Sequence, residues 1–238
     1  MRSLIVALAF LTRLPMPRLA TDAGDFARAV RLYPAAGIAI GLLVAGAGWL
    51  GARVDPWLGA LAATVLWVWA TGALHLDGLG DLADGLGAAH GDRTRLLAVM
   101  RDPHIGSFGV TTIVLQLAAK LVLLHLILPA GWLALTAIPA AARLGPLVWA
   151  RFLPPLRDSG LGASIAGAIT LPILAIWGAL LAAACVLLPP LAATPLLIAL
   201  LGWWMHHRIG GVTGDVHGAG IELIETGLLL AVALQAAR

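Results

Sequence analysis

Charge is scarce in this chain, and cysteine scarcer. Of 238 residues only 11% are Asp, Glu, Lys or Arg, against 61% hydrophobic, whereas soluble domains carry about 25% charged residues. No soluble fold of this length could hide so much apolar surface, so the composition excludes an ordinary soluble domain and indicates an integral membrane protein built of helices. The single Cys185, in an apolar stretch, excludes an internal disulfide framework and any cysteine-based metal site. A formal net charge of +3 rests on few residues and contains no basic run of the kind that grips nucleic acid. No nucleic-acid partner is therefore expected. The opening "MRSLIVALAFLTRLPMP" has only a short apolar run, closed at once by Arg13, with no small-x-small cleavage site after it. It reads as an interfacial or re-entrant segment at a membrane surface.

What is present in quantity is apolar sequence in blocks. A helix needs about 20 apolar residues to cross the hydrocarbon core, and the stretches 32–50, 57–74, 110–128, 133–149, 164–187, 194–205 and 219–237 qualify as candidates. The expected fold is all-α: a polytopic membrane helical bundle with about seven transmembrane helices, one domain over 1–238. Pro139 and Pro172 are expected to kink two of the spans. With the N-terminus inside, the inner segments carry Arg2, Arg13, Arg18, Arg28, Arg31, Arg93, Arg95, Arg101, Arg151, Arg157 and Arg208, and the outer ones only Arg53 and Arg238. By the positive-inside rule this predicts a multi-pass protein of the inner (plasma) membrane with its N-terminus and its acid-rich loops in the cytoplasm. Lys120 and Arg143 fall within spans, where they either snorkel or face a polar interior.

Against this background three polar clusters stand out. The first is "HLDGLGDLADGL", in which Asp77, Asp81 and Asp84 are spaced i, i+4 and i+7. On a helix they fall within roughly 60° of one face. Converging carboxylates repel one another unless a cation joins them, and an all-oxygen set suits Mg²⁺ or Mn²⁺. The plainer alternative is a solvated helix end. His75 falls on the opposite side and reads as structural. The second cluster, "RDPHIGSFGV" at 101–110, offers Arg101, His104 and the backbone amides of Gly106, Ser107 and Gly109 just before a helix. That arrangement suits an anion, or else merely caps the helix. The third, "GGVTGDVHGAGIELIE" at 210–225, spaces Asp215, Glu222 and Glu225 along one helix. Acids entering a span are functional candidates, and their alternative role is an ion pair with Arg143, Arg208 or Lys120.

The pieces "FLTRLPMP" at 10–17, "RAVRLYPAAGIAIG" at 28–41, "HLDGLGDLADGLGA" at 75–88, "RDPHIGSFGV" and "GGVTGDVHGAGIELIE" occur in one order across nearly the whole chain. In that order the chain resembles the cobalamin (5′-phosphate) synthase family, the adenosylcobinamide-GDP ribazoletransferases. The resemblance implies an enzyme of late cobalamin biosynthesis. In that reaction the hydroxyl of α-ribazole, or of its 5′-phosphate, attacks the cobinamide-side phosphate of adenosylcobinamide-GDP and GMP leaves. It further implies a Mg²⁺-dependent phosphotransferase in a membrane lipid setting, with a homo-oligomer left open. Asp77, Asp81, Asp84 and Asp215 are the expected metal ligands. Asp81, Asp84, Asp215 and Glu222 are the candidates for catalysis, and Arg101, His104, Gly106 and Ser107 for substrate phosphates. Pro103-His104 stands where Ser-Arg is common, Arg101 replaces a frequent Lys, and His217 occupies a usually apolar or aromatic position.

Two other readings compete. "DLADG" is similar to the start of the D-x-x-D-G-x-x-A-R pattern of CDP-alcohol phosphotransferases, but the "AR" is absent. A divalent-metal transporter would place its acids near mid-bilayer on paired, interrupted helices, whereas most acids here fall in predicted cytoplasmic loops.

Overall fold

The computed structural model describes residues 1–128, 131–156, 165 and 167–237. Arg157 and Arg238, both counted in the charge asymmetry, lie outside the described residues. The helices are α1 (Arg2–Leu11), α2 (Ala23–Ala29), α3 (Tyr33–Ala52), α4 (Pro56–Thr71), α5 (Leu74–Ala89), α6 (Arg93–Val99), α7 (Ser107–Ile127), α8 (Trp132–Ala142), α9 (Leu144–Phe152), α10 (Leu171–Leu187), α11 (Thr194–Arg208) and α12 (Gly214–Ala236). No strand is present among the described residues; the one β-type pairing is an isolated bridge between Pro155 and Val212.

The all-helical expectation holds, and about seven spans are not confirmed. Among the described residues four segments are long and apolar enough to cross a membrane: Gly24–Ala52, Ser107–Ile127, Trp132–Phe152 and Gly214–Ala236. A fifth is reached only if α4 and α5, which meet at 85°, are counted as one broken span. The candidate at 57–74 ends early because Gly72 and Ala73 both adopt left-handed backbone (φ 59°) and turn the chain aside. The stretches at 164–187 and 194–205 yield helices of 17 and 15 residues. Pro172 and Pro195 start these helices rather than kink them, because a missing N–H costs nothing in a first turn. Helix α1, at 10 residues, rises about 15 Å, half the thickness of a hydrocarbon core.

Local sequence explains the boundaries. Asp22 and Asp25 form a reciprocal capping box at the start of α2, and Asp25 also receives Arg2 and Arg28, each at 2.8 Å. Asp55 caps α4 through the amides of Trp57 and Leu58, and Asp92 caps α6 through those of Thr94 and Arg95. Helix α3 is packed against α8 and α4. A Cβ at Gly37 would come within 2.6 Å of the Ala140 Cα, so the helix–helix contact there is made by bare backbone. Large apolar side chains such as Leu42, Leu61, Val65, Leu115, Val122, Leu180 and Leu200 remain exposed, as befits a surface turned to lipid.

One end of the bundle gathers the start of α3, the end of α4, the start of α7, the end of α9 and the start of α12. The Arg13 amide donates to Ala70 O (2.8 Å), the Leu156 amide to Val212 O (3.0 Å), and a cavity joins Tyr33 to Asp215. The opposite end holds Arg53 over Trp49 and the stacked Trp57–His125 pair, 3.8 Å between ring centres.

Candidate active site

Helix α5 forms as its acid spacing predicts, in spite of its glycines. It is held by packing against α12 and α7. Gly78 is the point of closest approach: a Cβ there would stand 2.8 Å from the Asp215 Cα. This contact sets the chain-distant "HLDG" and "TGDVHG" segments side by side, as the sequence reading requires.

The three aspartates of α5 nonetheless have different surroundings. Asp77 is exposed, Asp81 half-buried and Asp84 buried. Asp77 lines a cavity of about 340 Å³ together with Asp215, His75, His217, Thr213 and Tyr33. Asp84 faces elsewhere. Its two oxygens accept from the Gly106 amide (2.7 Å) and the Gly109 amide (2.9 Å), across the first turn of α7. A helix N-terminus favours an anion there, and the anion is supplied by the protein itself. Asp84 and the Gly106 and Gly109 amides, named separately in the sequence, are thus brought together and link α5 to α7. Ser107 opens α7, exposed, and its carbonyl accepts from Thr111 Oγ1 (2.8 Å).

Arg101 and His104 are exposed on the loop before α7. The Asp102 carboxylate accepts from the His104 amide (3.0 Å) and pairs with its ring Nδ1 (2.7 Å). These contacts, the backbone bond first, hold the Asp102 carboxyl below its ordinary range. The loop presents His104 and Arg101 to solvent, and its Gly106 amide meets Asp84, about 10 Å along α5 from Asp77 at seven residues' rise.

Glu222 does not line the cavity. It is buried with Glu225 in a network internal to the bundle. Lys120 Nζ meets Glu222 Oε2 and Glu225 Oε2, each at 2.7 Å, and Arg143 Nη1 meets Glu225 Oε1 at 3.0 Å. Gln116 Nε2 donates to Glu222 Oε2 (2.8 Å), and Lys120 lies 4.4 Å from the centre of the Trp67 ring. Two carboxylates and two cations leave no net charge, which is what a low-dielectric interior demands. The ion-pair alternative is the arrangement found here, with Lys120 and Arg143 as the partners of Glu222 and Glu225.

The sequence reading passed over several residues that shape the cavity. His75, set aside as structural, is one of its walls while its Nε2 faces Arg143 Nη2 at 2.9 Å. Arginine has no acceptor, so His75 Nε2 must accept and Nδ1 carries the proton. Phe10, Phe26 and Tyr33 come from α1, α2 and α3. Their only signal in the sequence is the position of "FLTRLP" and "RLYP" in a family-like order, which says nothing of contact.

Among the described residues no three His, Cys, Asp or Glu side chains are grouped closely enough to hold a metal ion by themselves. The cavity offers two carboxylates, from Asp77 and Asp215. Oxygen donors of this number fit Mg²⁺, which is commonly held by one or two carboxylates with substrate phosphates and water completing its shell.

A polytopic helical membrane protein, with acids from two remote helices on one cavity at its arginine-rich end, is the class these features define. The model of the family described as cobalamin-5-phosphate synthase matches residues 3–233, and the chain belongs to that family. The chain is 58% identical to a Novosphingobium aromaticivorans protein over 98% of its own length and 97% of the relative's. Identity is 52% to a Thiobacillus denitrificans protein (97% and 94% covered) and 53% to one from Laribacter hongkongensis (97% and 96%). All three are named adenosylcobinamide-GDP ribazoletransferase. No solved structure matches the chain.

Proposed function

We propose that the protein is an adenosylcobinamide-GDP ribazoletransferase. It joins α-ribazole or its 5′-phosphate to adenosylcobinamide-GDP with release of GMP. The observation that carries this reading, beside the relatives' names, is the meeting of Asp77 and Asp215 on one cavity. The nucleoside hydroxyl oxygen forms a bond to the cobinamide-side phosphorus, and the bond from that phosphorus to the bridging oxygen breaks. The electron pair leaves on GMP, and a carboxylate of the set Asp77, Asp81 and Asp215 receives the hydroxyl proton. A Mg²⁺ ion held by Asp77 and Asp215 would supply charge neutralisation for the diphosphate. Exposed Arg101 and His104, on the loop whose Gly106 amide meets Asp84 of α5, receive the guanosine diphosphate portion.

The described arginines other than Arg53 and buried Arg143 belong to the end of the bundle that holds the cavity. By the positive-inside rule this end faces the cytoplasm of the inner-membrane cell face. A reporter inserted within 88–95 reads that orientation.

Protein purified into lipid nanodiscs is expected to convert adenosylcobinamide-GDP and α-ribazole to a cobalamin with one GMP released per product, and to stop on chelation of divalent ions. Absence of product with Mg²⁺ and both substrates present would overturn the reading.

A further inference from the structure

The cavity that holds Asp77 and Asp215 encloses about 340 Å³. Small-molecule sites run from roughly 300 to 1,000 Å³, so this one sits at the lower end. Of the two substrates in the proposed reaction, a corrin macrocycle carrying a nucleotide is several times too large to be enclosed. A single nucleoside with a fused bicyclic base is not. Size alone therefore separates the partners.

The walls make the same choice. Phe10 stacks on Tyr33 with ring centres 6.1 Å apart and 17° between planes, and Phe26 meets Phe10 edge-on at 6.0 Å and 81°. Phe10 and Phe26 are only half-buried, although all three line the cavity. Aromatic faces of this kind hold a flat, apolar base by stacking. On the α12 side, His217 is 7% exposed and its Nδ1 is buried with no hydrogen-bond partner. A buried ring nitrogen left without a partner is costly and calls for an explanation. The imidazole lies nearly parallel to Trp149, at 6.0 Å and 22°, which fixes its plane. His217 and Asp215 both line the cavity, so a ligand that meets His217 lies in the same space as the acids.

We infer that this cavity is the acceptor-nucleoside subsite, seating a nucleoside with an apolar bicyclic azole base between the Phe10–Tyr33 stack and His217 so that its sugar hydroxyl meets Asp77 and Asp215. The inference rests on the proposed transferase reaction and adds to it the place of each substrate. The corrinoid must then approach from outside the cavity.

The test is steady-state kinetics of the full chain in nanodiscs, varying each substrate in turn, for wild type, Phe10→Leu, His217→Leu and His217→Asn. Equilibrium dialysis against labelled α-ribazole alone accompanies it. His217→Leu and Phe10→Leu are each expected to raise the ribazole KM and Kd about tenfold or more, a change of about 1.4 kcal/mol. The KM for adenosylcobinamide-GDP stays within about twofold. Asparagine, which restores a hydrogen-bonding group near the Nδ1 position, is expected to recover most of the loss, an outcome that simple misfolding would not give. Unchanged ribazole constants in both Leu variants, or equal losses for both substrates, would overturn the subsite while leaving the transferase reading intact. A wild-type protein that binds and transfers nothing would overturn the transferase reading itself, and the subsite with it.

Discussion

Asp77→Asn is expected to lower turnover by about 10³-fold while leaving the unfolding temperature of the nanodisc-embedded protein within a few degrees of wild type. The magnitude is that of losing a proton acceptor or a charge aligned with the reacting diphosphate. The separation of activity from stability follows from where the residue sits. Asp77 is exposed, lines the cavity, and has no side-chain hydrogen bond or ion pair among the described residues. Its amide already donates within the helix, to Ala73 O at 2.9 Å. Asparagine is nearly isosteric, so nothing in α5 has reason to move. Single-turnover GMP release and tryptophan-monitored thermal unfolding measure the two quantities. A variant retaining a tenth or more of wild-type turnover would take Asp77 out of the reaction.

Glu225→Ala has the opposite signature. Glu225 is fully buried and holds both Lys120 and Arg143. Its removal leaves two cations facing one carboxylate in the interior of the bundle. Breaking a buried pair in this way costs about 3–5 kcal/mol, a large part of the stability of an ordinary domain. The expected result is a steep fall in folded yield and an unfolding midpoint lowered well beyond that of any exposed-site variant. The double variant Glu225→Ala/Lys120→Met removes one charge of each sign and is expected to regain at least half of the loss. That coupling would be absent if the two side chains merely filled space. Because the same cluster holds His75 through Arg143, partial loss of activity in surviving protein is expected as well.

The two variants mark how far a sequence speaks for itself. The acid stripe on α5 and the helical start of α12 are legible because spacing alone puts Asp77 and Asp81 on one side of a glycine-rich helix. Their meeting with Asp215 is legible only through the family-like order of motifs, since nothing local says that Gly78 abuts the Asp215 backbone. Asp84 illustrates the limit more sharply. An acid stripe suits a cation or a solvated helix end, and an amide-rich helix start suits an anion or a cap, yet Asp84 and these amides meet each other across a separation of 22 residues for Gly106 and 25 for Gly109. Glu222 and Glu225 are alike in sequence to a catalytic pair entering a span. Only the placement of Lys120 and Arg143 from two other helices turns them into an internal salt-bridge network. The number of spans differs from the count of long apolar helices for another reason. Hydropathy does not register the left-handed turn at Gly72–Ala73, nor where α10 and α11 begin and end, at 17 and 15 residues.

Divalent-ion binding tests the centre of the account most directly. Mn²⁺ replaces Mg²⁺ in oxygen-ligand sites and its paramagnetic signal reports the bound fraction. With two protein carboxylates and a diphosphate needed to complete the shell, wild-type protein is expected to bind Mn²⁺ tightly only when adenosylcobinamide-GDP is present. Asp77→Asn and Asp215→Asn are each expected to abolish that substrate-dependent binding. Mn²⁺ bound equally well by the two variants, or by wild type with and without the nucleotide substrate, would contradict it.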